Sequence, residues 1–112
     1  MNVRDLIEKT GFEVINEGDL DREAVAVYCC DLLSWVMGRA PADSAWLTVM
    51  GNMNTIAVAV LADVSVIILA EGAAIDDAAK QRAGQQGVNI LRTAKPAFEA
   101  GLMVDGMLSL TT

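Results

Sequence analysis

Ser44-Ala-Trp-Leu-Thr-Val-Met50, Gly51-Asn-Met-Asn54, Thr55-Ile-Ala-Val-Ala-Val-Leu-Ala-Asp63 and Val64-Ser-Val-Ile-Ile-Leu-Ala-Glu-Gly72 follow one another without a break. The first and last segments are apolar runs of strand length. Between them a small-residue segment of helix length is opened by a polar Gly-Asn turn. This is the pattern of a β-α-β crossover, whose two parallel strands must both be buried under helices. The turn then falls beyond the carboxyl end of a strand and at a helix N-terminus, where such units bind ligands. Apolar residues occupy every face of the segment after the turn, which predicts a helix buried in the core or at a subunit contact.

Working outward, the sequence predicts a helix over residues 3–10, capped by Asn2 with Asp5 as a partial capping box and ended by Gly11. Residues 12–15 read as a short strand, and residues 16–23 as an exposed, polar, acidic loop. Residues 24–30 form a continuous small-apolar run of strand length. Asp31 is placed to cap the next helix, with Leu32, Leu33, Val36 and Met37 on one apolar face and Gly38 and Pro41 closing it. Beyond the crossover, residues 76–86 predict a polar helix whose narrow apolar stripe is Ile75, Ala79 and Ala83. Residues 88–91 are the last strand. Thr93 can cap a final helix that admits Pro96 in its first turn and runs through Phe98, Leu102 and Met107. The order α-β-β-α-β-α-β-α-β-α predicts a three-layer α/β/α sandwich on a mainly parallel sheet of about five strands.

A chain of 112 residues fits one domain, residues 1–112. Its apolar fraction, 54% before glycine is counted, exceeds the usual share of a soluble domain. The surplus predicts a face buried against a second copy or a partner, and a homodimer is the expectation. The net charge is −7, there is no histidine, and the eight basic residues are scattered. Without a basic stripe, nucleic acid and anionic membranes are excluded as expected partners. Residues 45–62 are broken by Thr48, Gly51, Asn52 and Asn54, so no membrane span is predicted. No secretory signal is visible, and two adjacent cysteines make no disulfide framework, so a cytoplasmic location is expected.

Gly51, Asn52 and Asn54 are the first candidate ligand-binding residues. Glycine lets backbone approach closely, the amides donate and accept, and free N–H groups at the helix start favour an anion. The same residues also suit an ordinary turn with an Asn cap. Arg92 and Thr93, with Lys95 nearby, place cations beside a hydroxyl and could hold a phosphate or carboxylate together with the Asn52 turn. Solvated surface cations are the alternative. No Walker loop occurs. Serines 34 and 44 have no visible base partner, and no metal site is predicted without histidine or spaced cysteines. No catalytic residue, metal or cofactor is therefore expected.

The run Asp21-Arg22-Glu23-Ala24-Val25-Ala26-Val27-Tyr28, then Asp31-Leu32-Leu33-Ser34-x-Val36-Met37, resembles the DRTGG-domain family. Trp46-Leu47-Thr48 leading into residues 54–61, and Ile90-Leu91-x-Thr93 with Pro96-Ala97-Phe98-Glu99, extend the resemblance over nearly the whole chain. It implies a fold similar to the N-terminal domains of HPr kinase/phosphorylase and the MurF ligase. It also implies a regulatory or dimerising module rather than a catalytic one. Ala24 and Ala26 stand where small glycines are associated with the family, and Asn52 where relatives can carry histidine. Two readings follow. One is a module that dimerises and binds a small anionic ligand such as a nucleotide. The other is a purely structural interaction domain with no ligand.

Overall fold

Every side chain of strands β3 (Ser44–Thr48) and β4 (Val66–Leu69) is buried, the condition that a parallel strand covered on both faces must meet. The computed structural model describes residues 1–109. Three further strands complete the sheet: β1 (Glu13–Asn16), β2 (Ala26–Cys29) and β5 (Ile90–Arg92). The order is β1-β5-β4-β3-β2, with β2 to β5 parallel and β1 antiparallel at one edge.

Alternate side chains enter two separate cores. Ala45, Leu47, Val66, Ile68 and Leu91 pack under helices α1 (Val3–Thr10) and α5 (Ala97–Ser109). Trp46, Ile67, Leu69 and Ile90 pack under α2 (Leu33–Arg39), α3 (Met53–Ala62) and α4 (Asp77–Gln86). The result is the α/β/α sandwich, with its ten elements in the expected order. Among the described residues no helix is long and apolar enough to cross a membrane.

Several caps form as the sequence predicts. Asn2 Oδ1 accepts from the Asp5 N–H at 2.9 Å, and Gly11 closes α1 at φ 68°. Asp76 accepts from the Ala79 N–H at 2.7 Å, which makes it the cap of α4 rather than a first-turn residue. Two other caps differ. The Asp31 side chain turns sideways and accepts from Thr48 Oγ1 (2.7 Å) and the Val49 N–H (3.1 Å), so α2 starts at Leu33 without a side-chain cap. Thr93 lies too early to cap α5. Its hydroxyl accepts from the Lys95 N–H, while the Pro96 carbonyl takes the Ala100 N–H, so Pro96 precedes the helix. Proline disfavours helical geometry in Lys95, the residue before it, so the helix cannot begin at Thr93 or Ala94, and it runs from Ala97.

The expected apolar face of α2 is buried only at Val36, with Leu33 half-buried and Leu32 and Met37 exposed. The mostly apolar α3 buries Thr55, Ile56, Val58 and Ala59 but leaves Met53, Ala57, Val60 and Leu61 in the open. It covers the sheet with one face only.

The acidic loop before β2 is a fastened strap rather than a free loop. Gly18 lies so close to Gly87 that an added Cβ would fall 2.6 Å from the Gly87 carbonyl carbon. The Gly18 N–H donates to Asn89 Oδ1 at 2.6 Å. Asn89, 3% exposed, uses its amide nitrogen for the carbonyls of Asp19 (2.8 Å) and Ser65 (3.0 Å). Ser65 Oγ in turn donates to the Glu23 carbonyl. One buried amide therefore joins strap, β4 and β5. Asn89→Ala strands the Gly18 N–H and the Ser65 carbonyl and takes one of two donors from the Asp19 carbonyl, and urea denaturation should show a loss of about 2 kcal/mol; a loss under about 0.5 kcal/mol would mean that water replaces the amide.

Candidate functional site

The loops at the carboxyl ends of the parallel strands form one continuous rim. Asp31 ties the loop after β2 to β3 through Thr48 and Val49. The loop after β3 meets the loop after β4 where the Asp76 N–H donates to the Gly51 carbonyl at 2.9 Å. The loop after β4 meets the loop after β5 through Gly72 N–H to Thr93 O (2.8 Å) and Glu71 N–H to Lys95 O (2.9 Å). Glu71 and Gly72 both have positive φ, 60° and 64°, which turns their N–H groups onto that neighbouring loop.

Each predicted site residue has a defined place on this rim. Gly51 is pressed against the loop after β4, where an added Cβ would come within 2.6 Å of the Ile75 Cα. Asn52 is the cap of α3: Oδ1 accepts from the Thr55 N–H (3.0 Å) and Thr55 Oγ1 (3.2 Å). Asn54 is exposed in the first turn, and its side chain makes no hydrogen bond among the described residues. The N–H groups of Met53 and Asn54 are likewise unbonded there, as first-turn donors are.

Arg92 and Thr93 stand on the other side of β4. Arg92 faces Glu13 in the β1–β5 register and grips its carboxylate through Nε (2.9 Å) and Nη2 (2.6 Å). Its charge is thereby paired with that of Glu13. The Thr93 backbone holds Leu69 and Gly72. The two halves of the predicted site flank the β4–α4 loop and each touches it. Open donors on the rim include those at the start of α3.

The opposite end of the sheet holds a network the sequence did not reveal. Arg22 Nε and Nη2 reach Asp43 Oδ1 (3.1 and 2.9 Å), and Nη2 also reaches the Asp63 carboxylate (2.7 Å) and carbonyl (2.6 Å). Burial opposes the guanidinium charge, but the hydrogen bonds and charges of Asp43 and Asp63 prevail and raise its pKa. Both aspartates have positive φ, 62° and 59°, a conformation their short polar side chains tolerate. Beside them lies a cavity of about 240 Å³ lined by residues including Asp19, Arg22, Asp63, Ser65 and Asn89. Because Arg22 is already neutralised, the cavity offers no free cation to an anion. A polar Asn89 inside the apolar run 88–91 was the one sequence signal that this end is wired.

Cys29 is exposed on β2, and its thiol pKa is raised, first by desolvation and then by Asp31. It is held protonated and is a poor nucleophile at neutral pH.

No family model matches the sequence, and no curated protein matches it. Among solved structures the fold is similar to the CBS and DRTGG domains of the regulatory region of Clostridium perfringens pyrophosphatase, complexed with its activator diadenosine tetraphosphate. The TM-score is 0.70 at 11% identity, over 92% of this chain and 45% of that chain. The likeness is therefore one of fold, to a regulatory region about twice as long. What Arg22 does is decided by its contacts here. Arg22→Ala leaves Asp43 and Asp63 without their shared cation and should lower unfolding stability by about 2 kcal/mol, read by chemical denaturation. Loss of less than about 0.5 kcal/mol would reduce the network to a surface ion pair.

Proposed function

We propose that this chain is a DRTGG-type, non-catalytic regulatory module, cytosolic and dimeric, that binds a small anionic ligand such as a nucleotide at the rim formed by Gly51, Asn52 and Asn54, with Arg92 and Thr93 beyond the β4–α4 loop. The observation that carries this is the fold shared, over nearly all of the chain, with a regulatory region solved with a nucleotide activator. The unbonded N–H groups at the start of α3 and the exposed Asn54 amide support the location, because an anion there meets donors and the positive end of the helix dipole. Reduced cysteines support the compartment.

A second reading has its own observation. Asn52 is spent on capping, Gly51 on close packing and Arg92 on Glu13. On that reading the rim is architecture, and the chain is an interaction domain without a ligand.

Thermal unfolding separates the two. Diadenosine tetraphosphate, ATP, AMP and inorganic phosphate are each added to the purified chain. The ligand reading expects at least one nucleotide to raise the Tm by about 4 °C or more well above its Kd. Asn54→Ala and Arg92→Gln should shrink that rise, while Glu13→Gln, which frees Arg92, should enlarge it. Asn52→Ala is a poor probe because losing the cap costs about 1 kcal/mol by itself. Absence of any shift across the four compounds favours the interaction domain.

A further inference from the structure

The two edges of the sheet are treated differently. The β1 edge carries a register shift between Val14 and Asn16, and its Glu13 is locked to Arg92. The β2 edge has neither device. Ala26-Val27-Tyr28-Cys29 contains no charge and no proline, pairs with β3 in unbroken register, and has no strand on its outer side among the described residues. An uncharged open edge is a template for another strand, which is why monomeric proteins blunt theirs.

Apolar shoulders flank this edge on both faces of the sheet. On one face α5 packs against β2 and leaves Phe98 76% and Leu102 62% exposed. Between them and β2 runs a groove of about 240 Å³, lined by Val27, Cys29, Phe98, Gly101, Leu102 and Asp105. On the other face α2 connects β2 to β3, packs on α3 and exposes Leu32, Trp35 and Met37.

We infer that β2 is where a second copy of this chain docks, its β2 running antiparallel about a two-fold axis normal to the sheet. The inference rests on the dimeric reading proposed above and names its interface. Rotation about that axis keeps each face of the sheet on its own side, so α5 meets α5 and α2 meets α2. Apolar shoulder then covers apolar shoulder on both faces at once, and a self-pairing strand without charges puts no like charges opposite each other. A different protein would have to match the edge and both shoulders separately. The five exposed shoulder side chains offer on the order of 600 Å², and with the strand edge this approaches the ~800 Å² per partner of a stable interface.

Sedimentation equilibrium of the full chain tests this. Wild type should sediment as a dimer, and Phe98→Asp or Leu102→Glu should weaken self-association roughly thirtyfold or more while keeping the far-UV circular dichroism of the wild type. Leu61→Glu, on the exposed stripe of α3, should leave the dimer intact. A monomeric wild type overturns both the dimeric reading and this interface. A dimer that survives the α5 substitutions overturns the interface alone, and its loss in Leu61→Glu would move the contact to α3. Wild-type amide exchange needs no substitution: exchange across β2 should slow as concentration rises through the dimer range, and concentration-independent exchange there overturns the inference.

Discussion

Two neighbouring strands with no exposed side chain impose the rest of this structure. β3 and β4 expose neither face, so helices must cover both sides of the sheet and every backbone group in the middle must find its partner within the ladder. Polar chemistry is thereby pushed to the two ends of the strands. The ends solve it differently. At the carboxyl rim, backbone bonds backbone from loop to loop, with Asp31 the main side chain involved. At the amino end, side chains reinforce backbone bonds such as Asp43 N–H to Asp63 O: Arg22 binds the turns at Asp43 and Asp63, and Asn89 binds the strap to β4 and β5.

That difference bears on function. The carboxyl rim leaves the helix start above β3 with unbonded donors, whereas at the amino end Arg22 is paired with Asp43 and Asp63. A ligand carrying negative charge therefore finds donors at the first and a neutralised, carboxylate-rich wall at the second. The cavity of about 240 Å³ at the amino end offers an anion no free cation from its lining.

The fold was legible because it rests on short-range signals. Runs of Val, Ile, Leu and Ala at strand length, together with Asn2 and Gly11 at helix ends, marked the elements and their order. Boundaries moved by one to three residues where tertiary bonds outbid local ones. Asp31 is the clearest example: it has the residue type and position of a cap, but Thr48 and Val49 on the adjacent strand present better donors. The candidate site was legible only in part. Position at a strand end and helix start follows from the element order, but which side chains stay free depends on long-range partners. The pairing of Arg92 with Glu13 joins residues from opposite ends of the chain, and the links from Arg22 to Asp43 and Asp63 join three loops. No local pattern encodes either.

The apolar surplus in the composition has a specific address. Facing the sheet, the helices present mostly small or medium residues: Ala79 and Ala83 from α4, Ala100, Gly101 and Val104 from α5, Val58 and Ala59 from α3. Gly101 even brings α5 within 3.1 Å of Cys29 Sγ, measured from where a Cβ would stand. Close approach of helix to sheet leaves little room for large side chains beneath. The large ones, Phe98, Leu102, Leu61 and Trp35, point outward instead. A domain whose outer surfaces met only water would place its small residues outside and its large ones within. On α3 and α5 that order is reversed at Leu61, Phe98 and Leu102, and the dimer inferred above would cover only the α5 pair.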